Sequence, residues 1–162
     1  MTDMLRVGIG YDIHRLVPGR RFVLGGVALP AERGPLGHSD GDALLHAIID
    51  ALLGAAGLGD IGQRFPPGDP AWKDADSRFL AAETASALRT LGWRIANVDA
   101  TVVLERPKLA PYVDAMREAI AGALGIETAC VSVKAKTNEG LDAAGAGEAV
   151  VAQAVALLER AE

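Results

Sequence analysis

The sequence predicts an α+β fold, a small mixed sheet covered by helices on one face. Apolar residues alternate in some segments and recur three to four apart in others. The segments so marked run strand, strand, helix, helix, strand, helix, strand, helix. A chain of 162 residues, 50% hydrophobic, is long enough to bury one core, so one domain over 1–162 is expected.

In chain order, Arg6 to Leu16 (RVGIGYDIHRL) and Arg21 to Pro30 (RFVLGGVALP) read as strands, separated by a PGR turn. A Gly- and Pro-bearing loop leads to HSDGD. From Asp42 the residues Leu44, Leu45, Ile48, Ile49, Leu52 and Leu53 recur in adjacent pairs four apart, which marks a helix. Ser39 is its expected N-cap, with Asp42 three residues on, and Gly54 or Gly57 ends it. LGDIGQRFPPGDPAWKDADS reads as a long surface loop. Ser77 to Leu91 is a second helix stopped by Gly92. NVDATVVLE is a strand with Val98, Ala100, Val102 and Leu104 on one side. Pro111 opens a third helix through Val113, Met116, Ile120 and Leu124, with Gly125 beyond its end. VSVKAKT is a strand, and Glu148 to Arg160 reads as an amphipathic helix.

Half the residues are apolar and 23% are charged, which excludes a disordered chain. Lys and Arg number 16 against 21 Asp and Glu, a net charge of −5. That balance argues against a general nucleic-acid or anionic-membrane partner, though a local basic patch can still hold phosphate. Cys130 is the only cysteine, so no internal disulfide forms. The start MTDMLRVGIGYD has no basic segment followed by a long apolar run. Both features agree with a cytoplasmic location. The most apolar stretch, ALLHAIIDALLGAAG, carries His46 and Asp50 and falls short of the roughly 20 residues of a membrane span.

His14, His38 and His46 are the only histidines, and each stands near acidic residues. Asp12 and His14 leave the same side of a strand. With His46 from the helix they make a three-ligand zinc site, and three protein ligands leave a fourth position open. Asp42, His46 and Asp50 form a column on the helix, so Asp42 or Asp50 can orient the His46 ring. D-x-H also occurs by chance, and Asp42 and Asp50 serve equally as solvated helix charges. His38 and Ser39 in HSDGD suit a polar substrate, and that loop is also an ordinary cap and turn. Asp60 suits a polyol hydroxyl, while Lys108 in ERPKL and Lys136, Thr137, Asn138 and Glu139 in KTNEG suit phosphate or a second ion. Turn chemistry explains these loops as well. Neither a dinucleotide fingerprint nor a P-loop is present.

Together GYDIHR, LGGV, HSDGDALLHAIIDALLGAAGLGDIG, FPPGDP, DSR, NVD, RPKLAP and KTNEGL resemble the 2-C-methyl-D-erythritol 2,4-cyclodiphosphate synthase family from about Arg6 to Leu158. The resemblance implies a homotrimeric lyase of the non-mevalonate isoprenoid pathway with active sites at subunit interfaces. It would convert 4-diphosphocytidyl-2-C-methyl-D-erythritol 2-phosphate into the 2,4-cyclic diphosphate and CMP. The implied zinc ligands, one ion per subunit, are Asp12, His14 and His46. A second ion, Mg²⁺ or Mn²⁺, falls on Glu139. The implied substrate contacts include Asp12, His14, His38, Ser39, Asp60, Ile61, Gly62, Phe65 and Asp69. Leu104, Arg106, Pro107, Lys108, Leu109, Ala110, Lys136, Thr137, Asn138 and Glu139 complete them. His38 and Thr137 match the positions credited with transition-state stabilisation.

The chain departs from the commonest family pattern twice. Pro67 and Gly68 stand where Asp and Thr are common, and Ala143 and Ala146 stand where an aromatic and an arginine are common. The second change removes the cation expected to clamp an isoprenoid diphosphate in a cavity on the trimer axis, unless Arg6 or Lys134 approaches. Two other readings compete: a metal-dependent phosphoesterase acting on a nucleotide-linked substrate, and a non-catalytic trimer that binds such a ligand.

Overall fold

The computed structural model describes residues 4–161. The ends of the expected 1–162 domain, the first three residues and the last, lie outside the described residues. Alternation dominates the opening strand β1 (Leu5–Pro18): Gly8, Gly10 and Leu16 are buried, and Leu5, Val7, Ile9, Tyr11 and Ile13 are exposed. The expected second strand folds instead as a hairpin of β2 (Phe22–Leu24) and β3 (Val27–Leu29). Its turn is Gly25–Gly26, with φ of 57° and 75°, a conformation open to glycine. β4 (Arg33–Pro35) then pairs antiparallel with the end of β1.

Helix α1 (Ala43–Ala56) starts where the leucine pairs begin. Its N-cap is Asp42, whose side chain accepts from Leu45 N, and Ser39 is not the cap. Asp42 fits because its carboxylate also accepts from Gly25 N and Gly26 N, joining the helix start to the hairpin turn. Gly54 lies within α1, and Gly57, at φ 72°, ends it. The expected surface loop contains a short helix, α2 (Ile61–Arg64), and a single turn at Pro70–Trp72. Phe65 meets Trp72 edge-on there, with centroids 5.1 Å apart. Then come α3 (Ser77–Thr90), β5 (Trp93–Val103), α4 (Val113–Leu124), β6 (Val131–Lys136), a short α5 (Asp142–Gly145) and β7 (Ala149–Arg160).

β7 corrects the reading of Glu148 to Arg160 as an amphipathic helix. Its alanines, leucines and glutamate favour a helix, but Val150, Ala152, Ala154, Ala156 and Leu158 are buried at every second position. β7 is the middle strand of the order β4-β1-β7-β5-β6, antiparallel to both neighbours, while β5 and β6 run parallel. Pairing on both edges and burial on one face outweigh local propensity.

The helices cover one face of this mixed sheet. α1 lies on β1 and β7, and α4 lies on β6. Backbone contact permits the closest approach. A Cβ on Gly8 would stand 1.9 Å from the Ala51 carbonyl oxygen, and one on Gly10 would stand 1.8 Å from that of Ala47. The alanines of β7 serve the same end. The other face leaves Val7 70% and Ile9 75% exposed beside Leu5, Tyr11, Ile13 and Val155, a contiguous apolar patch. Among the described residues, no helix is long and apolar enough to cross a membrane.

Candidate metal centre and substrate cavity

The close seating of α1 on β1 brings His46 against the strand that carries Asp12 and His14. Asp12 Oδ2 lies 2.9 Å from His14 Nε2 and 3.0 Å from His46 Nδ1, and the two ring nitrogens are 3.3 Å apart. Among the described residues this is the group of three His, Cys, Asp or Glu side chains placed to hold a metal ion.

The backs of both rings are occupied. His14 Nδ1 donates to Leu36 O at 3.0 Å, which leaves Nε2 with a lone pair. His46 Nε2 lies 2.9 Å from Ser77 Oγ and 3.1 Å from Ser39 Oγ. Burial alone would raise the Asp12 carboxyl, but hydrogen bonds from His14 and His46 outweigh it and hold it at about 2. Burial works against the charged form of His14, and the Asp12 carboxylate reverses this and raises its pKa. Three acceptor atoms converging this closely repel one another unless protons or a cation sit between them. Ligands about 2.0–2.1 Å from a tetrahedral zinc stand roughly 3.3 Å apart, so the donor set fits such an ion.

Asp42 and Asp50 do not hold the His46 ring. Asp42 is fully buried and spends its oxygens on Gly25, Gly26 and Leu45 N–H groups. Burial pushes its carboxyl up to about 6. Asp50 accepts from Ile61 N at 2.7 Å, which ties α1 to the start of α2. Burial raises its carboxyl too. Both turn to backbone amides, those of the Gly25–Gly26 turn and of the unpaired N–H groups at the starts of α1 and α2.

A cavity of about 200 Å³ opens beside the cluster; His14, His38, Ser39, His46, Ile61, Gly62, Phe65 and Pro67 are among the residues that line it. His38 Nε2 lies 3.2 Å from Asp69 O. Asp60 and Asp69 do not line this cavity. Their carboxylates cap the following turns, on Gln63 N and Ala71 N.

The other expected contacts gather elsewhere. Leu104 N donates to Lys136 O at 2.9 Å, joining Leu104–Ala110 to Lys136–Glu139. Leu104 and Leu109 are buried, while Arg106, Lys108, Ala110, Lys136, Thr137 and Glu139 are exposed. Thr137 Oγ1 accepts from Glu139 N, and Asn138 bonds Asp142. Among the described residues, none of these lines the cavity beside Asp12, His14 and His46. Arg106 and Pro107 line a separate cavity of about 590 Å³ with Leu16, Arg33 and Ala146. Arg106 Nη2 would lie 3.7 Å from a Cβ on Gly147. Arg33 and Arg106 are thus the cations that share this cavity with Ala146; Arg6 stacks on Trp93 and Lys134 pairs with Asp99.

Sequence reading missed Ser77 as a neighbour of His46 and Asp40 as the partner of Ser77. Ser77 is fully buried at the start of α3, and its hydroxyl bonds Asp40 Oδ1. The serine of DSR was the only available signal.

Comparison with known proteins gives the family and the fold. A model of the YgbB family matches residues 5–159. A 2-C-methyl-D-erythritol 2,4-cyclodiphosphate synthase of Moorella thermoacetica is 60% identical over 154 residues, covering 95% of this chain and 94% of the relative. The bifunctional IspDF of Campylobacter jejuni superposes with a TM-score of 0.94 at 35% identity, covering 98% of this chain and 43% of that longer one. A Plasmodium falciparum IspF in complex with CDP gives 0.87 at 32% identity, covering 100% of each chain.

Proposed function

The chain belongs to the YgbB family, and from that premise we propose how its residues carry out the reaction of the 2-C-methyl-D-erythritol 2,4-cyclodiphosphate synthases. It is a lyase of the non-mevalonate isoprenoid pathway that converts 4-diphosphocytidyl-2-C-methyl-D-erythritol 2-phosphate into the 2,4-cyclic diphosphate and CMP. A 2-phosphate oxygen attacks the β-phosphorus, and the bond from that phosphorus to the CMP oxygen breaks with its electron pair leaving on CMP. The attacking phosphate is already anionic, so no strong base is needed. The barrier is the approach of one anion to another, which positioning and fixed positive charge lower.

The observation that carries this reading is the convergence of Asp12, His14 and His46, two of which line the same cavity as His38 and Ser39. These three would hold Zn²⁺ and Glu139 would hold Mg²⁺ or Mn²⁺, and such ions would supply positive charge to the diphosphate. His38 and Ser39 bind the reacting phosphates, and Ile61, Gly62 and Phe65 shape the pocket for the methylerythritol carbons. Asp60 and Asp69 stand behind that pocket, holding its loops through their caps. Lys108, Lys136 and Thr137 donate to the departing CMP, and the backbone of Leu104–Ala110 frames the cytosine.

The nucleotide-side residues lie outside the cavity beside the metal cluster, with Arg106 and Pro107 lining another, which supports a homotrimer in which each site joins the metal half of one copy to the nucleotide half of the next. The apolar open face of the sheet supplies the contact area. Incubating the protein with the cytidylylated substrate, Zn²⁺ and Mg²⁺, and following ³¹P resonances, tests the reaction. Equimolar cyclic diphosphate and CMP are expected. A linear monophosphate product would indicate a phosphoesterase, and no turnover would indicate a binding protein.

A further inference from the structure

The PGR turn after β1 carries a side chain that the turn itself does not use. Gly19 stands at φ 78°, and its N–H donates to Glu32 O at 3.2 Å, so the chain doubles back beside β4. The approach is close, since a Cβ on Gly34 would overlap the Arg20 carbonyl oxygen. From this place the half-buried Arg20 side chain reaches past the end of β4. Its Nε donates to Pro35 O at 3.0 Å, and its Nη2 donates to Gly37 O at 3.3 Å.

These two carbonyls flank Leu36, whose N–H donates to Arg15 O at 2.8 Å and continues the pairing of β4 with β1. After Leu36 the chain leaves the sheet through Gly37 and enters the cavity at His38. Gly37 packs against the metal cluster, where a Cβ would stand 3.3 Å from His14 Cε1. A glycine there gives the segment backbone freedom that another contact must remove. Arg20 supplies that contact from outside, because it does not line the cavity.

We infer that Arg20 is a positioning residue for His38: its guanidinium spans Pro35 and Gly37 and so fixes where the His38 ring enters the substrate cavity. The inference rests on the reading of His38 as a group that binds the reacting phosphates. A guanidinium presents its N–H groups in one rigid plane, so two carbonyls bound to it are fixed relative to each other. Both bonds are charge-assisted, which makes them stronger than neutral ones. A lysine ammonium is a single point on a flexible stem and cannot impose the same spacing. Two further bonds hold His38 from the other side: Asp74 N donates to His38 O at 3.0 Å, and His38 Nε2 lies 3.2 Å from Asp69 O. His38 is thus gripped between the PGR turn and the 69–74 loop.

The test compares Arg20→Lys and Arg20→Met with the unsubstituted enzyme, each with and without His38→Ala. A misplacement of about 1 Å costs about 100-fold in rate, so kcat should fall about 10–100-fold in both variants, with a much smaller change in KM. In the His38→Ala background the same substitutions should cost less than about twofold, because the group they misplace is gone. An equal loss in both backgrounds is what a merely structural role gives, and it overturns the inference. Variants with kcat within about twofold of the unsubstituted enzyme also overturn it. Amide ¹⁵N relaxation reads the segment without substrate. The His38 order parameter should be near 0.85 in the unsubstituted chain and below about 0.6 in the variants. An Arg20 Nε–H that exchanges with water as fast as free arginine overturns the inference in the unsubstituted chain, where no variant need fold. Absence of turnover by the unsubstituted chain would count against the proposed reaction, and the relaxation and exchange data would still decide whether Arg20 holds His38.

Discussion

Gly10 and Ala47 meet backbone to backbone: a Cβ on Gly10 would stand 1.8 Å from the Ala47 carbonyl oxygen. Gly10 lies two residues before Asp12 on β1, and Ala47 follows His46 on α1. The contact that seats the helix therefore also sets the distance from His46 to Asp12. The glycines of VGIG, which match no nucleotide-binding pattern, act here through the room they leave.

Gly10→Ala forces α1 away from β1, since backbone atoms cannot move aside as a flexible side chain does. Overpacking of this kind costs about 1–3 kcal/mol or more. The expected outcome is a stability loss at the upper end of that range in urea unfolding, with weakened Zn²⁺ binding in the folded fraction. Unchanged stability and affinity would mean that the approach is not tight.

His46→Ala removes one of three ligands. Loss of an outer hydrogen-bond partner typically costs 10–100-fold in metal affinity or activity, so loss of a ligand should exceed about 100-fold. Metal content after dialysis and turnover together check this. Near-normal values in the variant would remove His46 from the ligand set.

The metal-free pair Asp12–His14 has a definite pH signature. The folded-state pKa of Asp12 is about 2 against 3.8, so its contribution is present above 3.8 and is lost as pH falls through about 2. That shift corresponds to about 2 kcal/mol. His14 is raised above 6.5, so its contribution is present below 6.5 and is lost as pH rises through the folded value. The stability difference between the chain and Asp12→Asn should therefore be largest between pH 3.8 and 6.5 in chelator. With Zn²⁺ the difference should grow above pH 6.5, because ion and proton compete for the same lone pairs. Denaturation curves from about pH 2 to 9 measure both, and a flat difference would contradict the ion pair.

Asp42→Ala leaves the N–H groups of Gly25, Gly26 and Leu45 without their acceptor in a buried place. Each buried unpaired group costs about 1–3 kcal/mol, so a loss of at least about 3 kcal/mol is expected. Amide exchange should rise first at Gly25 and Gly26. A loss no larger than an ordinary cap deletion, about 1 kcal/mol, would mean that water replaces the carboxylate.

Local patterns were legible where one element decided them. The leucine pairs of α1, the glycine stops at 57, 92 and 125, and the alternation of Val98, Ala100, Val102 and Leu104 all correspond to observed features. β7 was not legible, because Ala, Leu, Gln and Glu favour a helix and only pairing with β1 and β5 overrides them. The alternation was present in its buried positions, but alanine carries too little apolar signal to show it. At the site, the spacing of Asp12, His14 and His46 was readable as ligand types on a strand and a helix. Asp42 and Asp50 misled because a helical column says which residues align, and the backbone amides nearest each carboxylate decide where it points. The bond between Asp40 and Ser77 crosses 37 residues, and no local pattern encodes it.

In the proposed homotrimer one chain supplies the metal half of a site and another copy supplies the nucleotide half. Mixing two inactive variants tests it most directly. His46→Ala spoils the metal half, and Thr137→Ala spoils the nucleotide half. When the two proteins are unfolded together and refolded in equal amounts, some sites pair an intact metal half with an intact nucleotide half. Random assembly of a cyclic trimer makes this roughly a quarter of all sites. Cyclic diphosphate formation should recover to about that fraction of the unsubstituted rate, while each variant refolded alone stays inactive. A mixture no more active than the separate variants, although mixed oligomers form, would contradict a site shared between copies.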